Sequence, residues 1–572
     1  MSTPPSRSPL LLPALALGFL MALPAAFRLG DRIGGTLHPP RAFPAAAPIG
    51  PVQLLTQRND NQRSGTNLRE KSLTTDTVRP ATFGKLFSRT VDGQIYAQPL
   101  YVSGLTMAND SKQRNVVFVA TEHNSVYAFD ADDPAAAEPL WQVNLGASVP
   151  IADIGQASYG PYRDFSDEVG ITGTPVIDQA THTLYVIAKT RDAEAGKTRQ
   201  HLHALDITSG HARLPPVEIT ASVPGSGIGS VNGRVAFNPH TANQRGALLL
   251  DHGVLYANWS AHADIQPYHG WVMAYDPRTL KQIDAWCTTP DGEGGGISMG
   301  GNGLAADREG HVYFASGDGT CSGPAGGRDW GDSYLKLRLD DGHLTLVDSF
   351  TPYNQADMDS LDRDLGSSGL VLSPGMEFLV SGSKAGFLYQ VDSRNMGGYR
   401  PSDDDQILSR FLVTRGSIYG SPLCWNDPEQ GMTVFVWGGY DCLKAFRTDS
   451  EGRLDPTPRA RSTMSVPRGK PGGFLALSAN GGEDGTAILW AAHPREGSAN
   501  RMSVPGILRA FDARDISREL WNSEMVPERD SVGLFAKFCT PTIANGKVYL
   551  GTFSNRLNVY GLLPGASSDS GE

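Results

Sequence analysis

The residues best suited to chemistry in this sequence are a few carboxylates and one lysine. Asp362 and Asp364 stand in LDRDLGSSGL, and Lys384 follows in SGSKAGFLY. Paired carboxylates suit acid/base hydrolysis only when a second, opposing carboxylate completes the pair, and the sequence marks none. The alternative is structural. Both aspartates accept backbone N–H bonds in a turn, and Lys384 is their ion-pair partner across a channel. A second group lies in WSAHADIQPYHGW, which carries His262, Asp264 and His269. Imidazole and carboxylate together suit a transition metal, but this spacing matches no closed site. Its plain reading is a polar loop that pins the β-unit beneath it. A P-loop, a dinucleotide fingerprint and a CxxC pair are all absent, so nucleotide binding has no motif behind it.

Such groups need a rigid frame, and repetition supplies it. Residues 116–130, VVFVATEHNSVYAFD, read as two short strands around a turn that carries His123 and Asn124. The ending of this hairpin recurs at Asp206, Asp276, Asp340, Asp392, Arg447, Asp512 and Gly561, in steps of 49 to 76 residues. Short strands repeated at that spacing mark a propeller. Eight endings predict an all-β, eight-bladed β-propeller of four-stranded antiparallel blades. A single blade cannot bury its apolar face, and stacking blades in a closed ring does.

FGKLFSRTV, residues 83–91, has no hairpin partner of its own. It is predicted to close the ring by pairing with the last blade near residues 547–560. Glu168, Asn302, Ser367, Ser478, Asn480 and Lys537 fall just before or within the innermost strands. They are expected to converge near one end of the axis, as a pocket or as a water-filled channel mouth. Insertions at 147–171, 224–243, 319–332, 353–364 and 499–505 supply a loop face for a ligand or partner.

Composition narrows the class. The chain of 572 residues carries 65 Gly and 39 Pro, a turn-rich and globular balance. Its net charge of −11 comes without a basic block, which argues against nucleic acid as a partner. Residues 10–27 form an apolar run after Arg7. They read as a signal peptide or N-terminal anchor within residues 1–27, and any membrane contact is expected only there. Residues 28–51 form a Pro/Ala-rich tether, 52–565 the propeller, and 566–572 a disordered tail. The protein is therefore expected to be exported, and to be periplasmic, secreted or anchored. Export permits disulfides among the five cysteines. Cys287 with Cys321 and Cys424 with Cys442 are the nearest pairs, and five small buried hydrophobes are the alternative.

The repeat resembles that of the pyrroloquinoline quinone (PQQ) propellers. These are eight-bladed quinoprotein dehydrogenases and their non-enzymatic relatives. The likeness runs over roughly residues 83–563 and rests on endings such as AYDPRTLKQIDAW and AFDARDISRELW. It implies PQQ held with Ca2+, with Asp362 as catalytic base and Lys384 on the quinone. Asp264 matches a Glu ligand of the family's metal, and Asp318 in ASGDGTCSG matches an Asn ligand. Asn302 and Asn480, from the axial group, are taken as further cofactor contacts.

The sequence departs from the family where the quinone would stack. It has no adjacent cysteine pair, and Gly301 stands near the family's tryptophan. The enzyme reading would recover if Trp330, Trp425 or Tyr419 folded over the site. The leading expectation is an exported scaffold that binds a ligand or protein on its loop face. The alternative is a PQQ- and Ca2+-dependent dehydrogenase of alcohols or sugars.

Overall fold

Eight small antiparallel sheets follow one another along the chain. The computed structural model describes residues 52–192, 194 and 196–564. The expected leader at 1–27, the tether at 28–51 and the tail at 566–572 lie outside the described residues. Among the described residues, no helix is long and apolar enough to cross a membrane.

Blade 1 comprises Leu100–Thr106, Gln113–Ala120, Ser125–Asp130 and Trp141–Asn144. Its central hairpin pairs Val116 with Asp130 and Ala120 with Val126, as the sequence pattern requires. The innermost strands of blades 2 to 8 are Val176–Asp178, Leu249–Asp251, Ala305–Ala306, Val371–Leu372, Leu423–Asp427, Phe474–Ser478 and Thr542–Ala544. Each is followed by the longer strands of its own sheet.

Both faces of a blade are covered by neighbours, so the middle strands are buried almost throughout. One core cluster joins Phe118 and Val126 of blade 1 to Leu184 and Val186 of blade 2. Another joins Tyr101 and Val117 to Tyr549 and Val559, sealing blade 1 against blade 8. Burial between blades is thus the main stabilising term, at about 25 cal/mol per Å2 of apolar surface.

The repeated terminal aspartate has a local cause. Asp130, Asp206, Asp276, Asp392 and Asp512 each accept the backbone N–H of the residue two places on, at 2.8–3.0 Å. Each therefore fixes the turn into the outer strand.

The strand Phe83–Thr90 pairs antiparallel with Arg556–Leu562, from Phe83 opposite Leu562 to Thr90 opposite Arg556. It completes blade 8 and closes the ring.

The polar lead-in before it is not a solvated arm. Arg58 and Arg63 are 1 % and 0 % exposed. Arg58 donates to the carbonyls of Pro422 at 2.6 Å and Leu475 at 3.2 Å. Arg63 donates to those of Leu304 at 2.9 Å and Leu248 at 3.2 Å. The backbone N–H groups of Ile177, Ala306, Leu372 and Leu477 donate to carbonyls of this segment. Asn67 donates to the Ile543 carbonyl at 2.9 Å. Residues 55–67 thus touch blades 2 to 8 at or beside their innermost strands and plug the axis. Burial pulls both guanidinium groups down to about 10, so both stay charged at neutral pH.

All five cysteines are unbridged, and Cys287, Cys424 and Cys539 are buried. The pairs nearest in sequence do not bond. Cys424 faces Val434 across blade 6, whereas Cys442 faces Ser465.

Candidate functional site

A cavity of about 520 Å3 opens among the loops that precede the innermost strands and those that join second to third strands. Its lining draws on every blade interface from the 147–171 insertion to Phe538. Two kinds of wall meet in it.

The acidic wall is built around Asp364, which starts the turn Leu365–Ser367 into blade 5. One Asp364 oxygen accepts the Asp318 N–H at 3.1 Å, and the other accepts Lys384 Nζ at 2.8 Å. Lys384 also pairs with Asp362 and donates its backbone N–H to the Asp364 carbonyl at 2.9 Å. Asp362 sits in a left-handed turn at φ +53°, a conformation aspartate tolerates. Oxygens of Asp318, Asp362 and Asp364 all lie within 4.8 Å of one another.

Two buried oxygens here, Asp318 Oδ1 and Asp332 Oδ2, have no hydrogen-bond partner. Burial, and then the Asp364 charge, push the Asp318 carboxyl far above its usual range. Burial also works to raise Asp364, but the Lys384 charge and the bonds from Lys384 and Asp318 hold it low. Burial pulls Lys384 down, yet Asp364 more than offsets this and keeps the ammonium charged. Asp264 reaches the same cavity. Burial, followed by the Asp364 charge, lifts its carboxyl to about 6.

The other wall is cationic and aromatic. The Arg245 guanidinium lies 3.9 Å above the Phe538 ring. Arg501 lies 3.4 Å above Tyr159, and Lys470 lies 5.3 Å from the Tyr419 centroid. The Nε atoms of Arg245 and Arg501 are buried without hydrogen-bond partners. Lys537 donates to the carbonyls of Asp164 at 2.5 Å and Asn500 at 2.9 Å. Burial draws its ammonium down to about 8. The nearest carboxylate on this side is Asp164, 3.8 Å from Arg501 Nε.

The structure brings Asp264, Asp318, Asp362 and Lys384 to one cavity, together with Ser367, Lys537 and Tyr419. It does not bring Asn302 and Asn480 there. Asn302 accepts the Gln57 side-chain amide at 2.7 Å and so faces the plug. Asn480 follows the innermost strand of blade 7 and binds its own turn through the Thr486 hydroxyl. Ser478 accepts Trp490 Nε1 at 2.9 Å. Glu168 lines a separate small pocket of about 70 Å3 with Glu122 and Asp92.

His262 and His269 do not form a metal site with Asp264. His262 is bonded to Tyr162 at 2.9 Å and to Lys189 Nζ at 2.7 Å, whereas His269 is bonded to Thr289 and the Ile228 carbonyl. Trp330 and Trp425 do not line the cavity. Gly301 backs onto Phe538 instead, where an added Cβ would sit 2.9 Å from the Phe538 Cβ. Sequence reasoning missed Arg245, Lys470, Arg501 and Phe538, which belong to no motif.

No family model and no curated protein sequence matches this chain. Solved structures do. A quinohaemoprotein alcohol dehydrogenase from Pseudomonas putida HK5 is 14 % identical, with 89 % of this chain and 80 % of that one covered and a TM-score of 0.50. A europium-containing methanol dehydrogenase is 12 % identical, with 89 % and 98 % covered and a TM-score of 0.51. At this identity the likeness is one of fold, the eight-bladed propeller.

Proposed function

We propose that this propeller binds a small molecule together with a hard metal ion in its axial cavity. The observation that carries the reading is the cluster of Asp318, Asp362 and Asp364 oxygens within 4.8 Å of one another at the cavity wall. An all-oxygen donor set suits Ca2+ or a lanthanide rather than a soft metal. Asp264 and the partnerless Asp318 Oδ1 add to the same set. Lys384 is one cation among four carboxylates, so the wall keeps an excess of negative charge. Without an ion a proton on Asp318 relieves that repulsion; with one, the proton leaves. The europium in a fold neighbour supports the same class of ion. The apolar run at residues 10–27 supports export.

A second reading is a PQQ- and Ca2+-dependent dehydrogenase of alcohols or sugars. One observation favours it: Asp264, Asp318, Asp362 and Lys384 share a cavity with Tyr419. Asp362, an exposed carboxylate of the acidic wall, would be the base for a substrate hydroxyl. The flat slot fits less well. The Phe538 face is covered by Arg245, and Lys470 sits over Tyr419. A planar ring therefore finds no bare aromatic floor at Phe538.

Terbium luminescence and Ca2+ competition test the metal, and a PQQ titration tests the second reading. One-to-one metal binding that is lost in Asp318→Asn is expected. No binding up to about 1 mM metal, the weak end of protein Ca2+ sites, would sink the proposal.

A further inference from the structure

We infer that the ligand of this cavity is a small organic anion, seated by its carboxylate on the Arg245 guanidinium. The inference deepens the small-molecule reading of the cavity, but it does not depend on the metal. A guanidinium offers five N–H donors. Among the described residues, none of those on Arg245 meets a protein acceptor, and its Nε is buried without a partner. Phe538 closes one side of the group at 3.9 Å. The remaining donors are left for the cavity that Arg245 lines. A charge enclosed by protein without a partner is destabilising, so a ligand acceptor is what completes it.

The rest of this wall agrees. Arg501 Nε is also buried without a hydrogen bond. Lys470 lies over Tyr419 rather than beside a carboxylate. Lys537 spends two donors on carbonyls and keeps a third. Four cations thus face one nearby carboxylate, Asp164. A planar carboxylate is the acceptor a guanidinium fork fits in two parallel bonds.

The acidic wall repels the same anion and so fixes its direction, with the carboxylate toward Arg245 and the tail toward the aspartates. A tail rich in hydroxyls would donate hydrogen bonds to those carboxylates, with or without a cation. A volume of about 520 Å3 suits a molecule of that size. The chemical class is a sugar acid or a comparable hydroxycarboxylate.

The test is calorimetric titration of the purified full chain with gluconate, glucose and PQQ at neutral pH and low salt. Gluconate is expected to bind at least about tenfold more tightly than glucose. Arg245→Gln should lose about tenfold or more for gluconate and leave glucose unchanged. Arg245→Lys should fall between, because an ammonium makes no paired fork. If Arg245→Gln does not fold, Arg501→Gln carries the test, with an expected loss of about threefold or more. Asp318→Asn, which removes the metal, should leave the Arg245 effect in place, so failure of the metal reading and failure of this one are told apart. Three results would overturn the inference: gluconate binding no better than glucose, unchanged gluconate affinity in the arginine variants, or displacement of gluconate by saturating PQQ. The last would assign this wall to a cofactor.

Discussion

On the acidic wall of the cavity the one lysine meets two carboxylates. Lys384 lies between Asp362 and Asp364, and Asp318 is tied to Asp364 through its own backbone. On the cationic wall Arg245, Arg501 and Lys470 lie over Phe538, Tyr159 and Tyr419 instead. Both walls place charge in one cavity, but only on the first is the cation paired with carboxylates without a ligand. Aromatic faces hold the second wall's cations in position at roughly 0.5–2 kcal/mol each, without satisfying their donors. The acidic wall is therefore a preformed scaffold, and the cationic wall is a set of open valences.

The largest effect that separates the two walls is on stability. Lys384→Met leaves Asp364 among Asp318, Asp332 and Asp264, and should lose roughly 2–4 kcal/mol, the buried-pair range reduced for cavity water. Urea unfolding measures it, and added Ca2+ should restore much of the loss. Arg245→Gln in the same assay should be neutral or stabilising, since it removes an unpaired charge. Equal losses in both variants would erase the distinction.

Next comes Asp318→Asn. It should weaken metal binding at least about a hundredfold, read by terbium luminescence, while leaving the metal-free protein as stable or more so. A smaller effect sharpens the cationic wall. The Lys537 ammonium is drawn down to about 8 by burial. Anion affinity should therefore fall by roughly three- to tenfold as pH rises through about 8, and Lys537→Met should abolish that step. The sign for stability is opposite. The folded-state value lies below the ordinary lysine value, so a penalty present below about 8 is relieved between 8 and 10.5. Lys470→Gln should change least, about two- to threefold in anion affinity.

The frame of the molecule was legible because its signals are local. The repeated aspartate closes a turn two residues away, so it recurs wherever a blade needs that turn. The unpaired strand at residues 83–90 announced ring closure because no hairpin partner lay beside it. Asp264, Asp318, Asp362 and Lys384 were legible only through the resemblance of their segments to a known family. The cationic wall was not. Arg501 and Tyr159 come from the insertions of blades 7 and 1, and nothing in either stretch names the other. Asn302 and Asn480 were misplaced for a related reason. Nearness to an innermost strand does not say which end of the axis a side chain serves. RNDNQRSGTN is polar throughout, so its composition gives no sign of burial. Only carbonyls brought to the axis by several blades make its burial tolerable.

That plug also orders events in time. Residues 55–67 are synthesised before any blade, yet their acceptors and donors lie in blades 2 to 8, ending with Ile543. Arg63 cannot be satisfied until Leu248 and Leu304 have been made and folded, nor Arg58 until Pro422 and Leu475 have. Contacts this distant along the chain form late. The ring therefore stays open at its axis through most of its assembly, and the segment that leaves the ribosome early is the last to be locked. A chain truncated before blade 6 would carry Arg58 without its Pro422 and Leu475 acceptors, and one truncated before blade 8 would leave Asn67 without the Ile543 carbonyl.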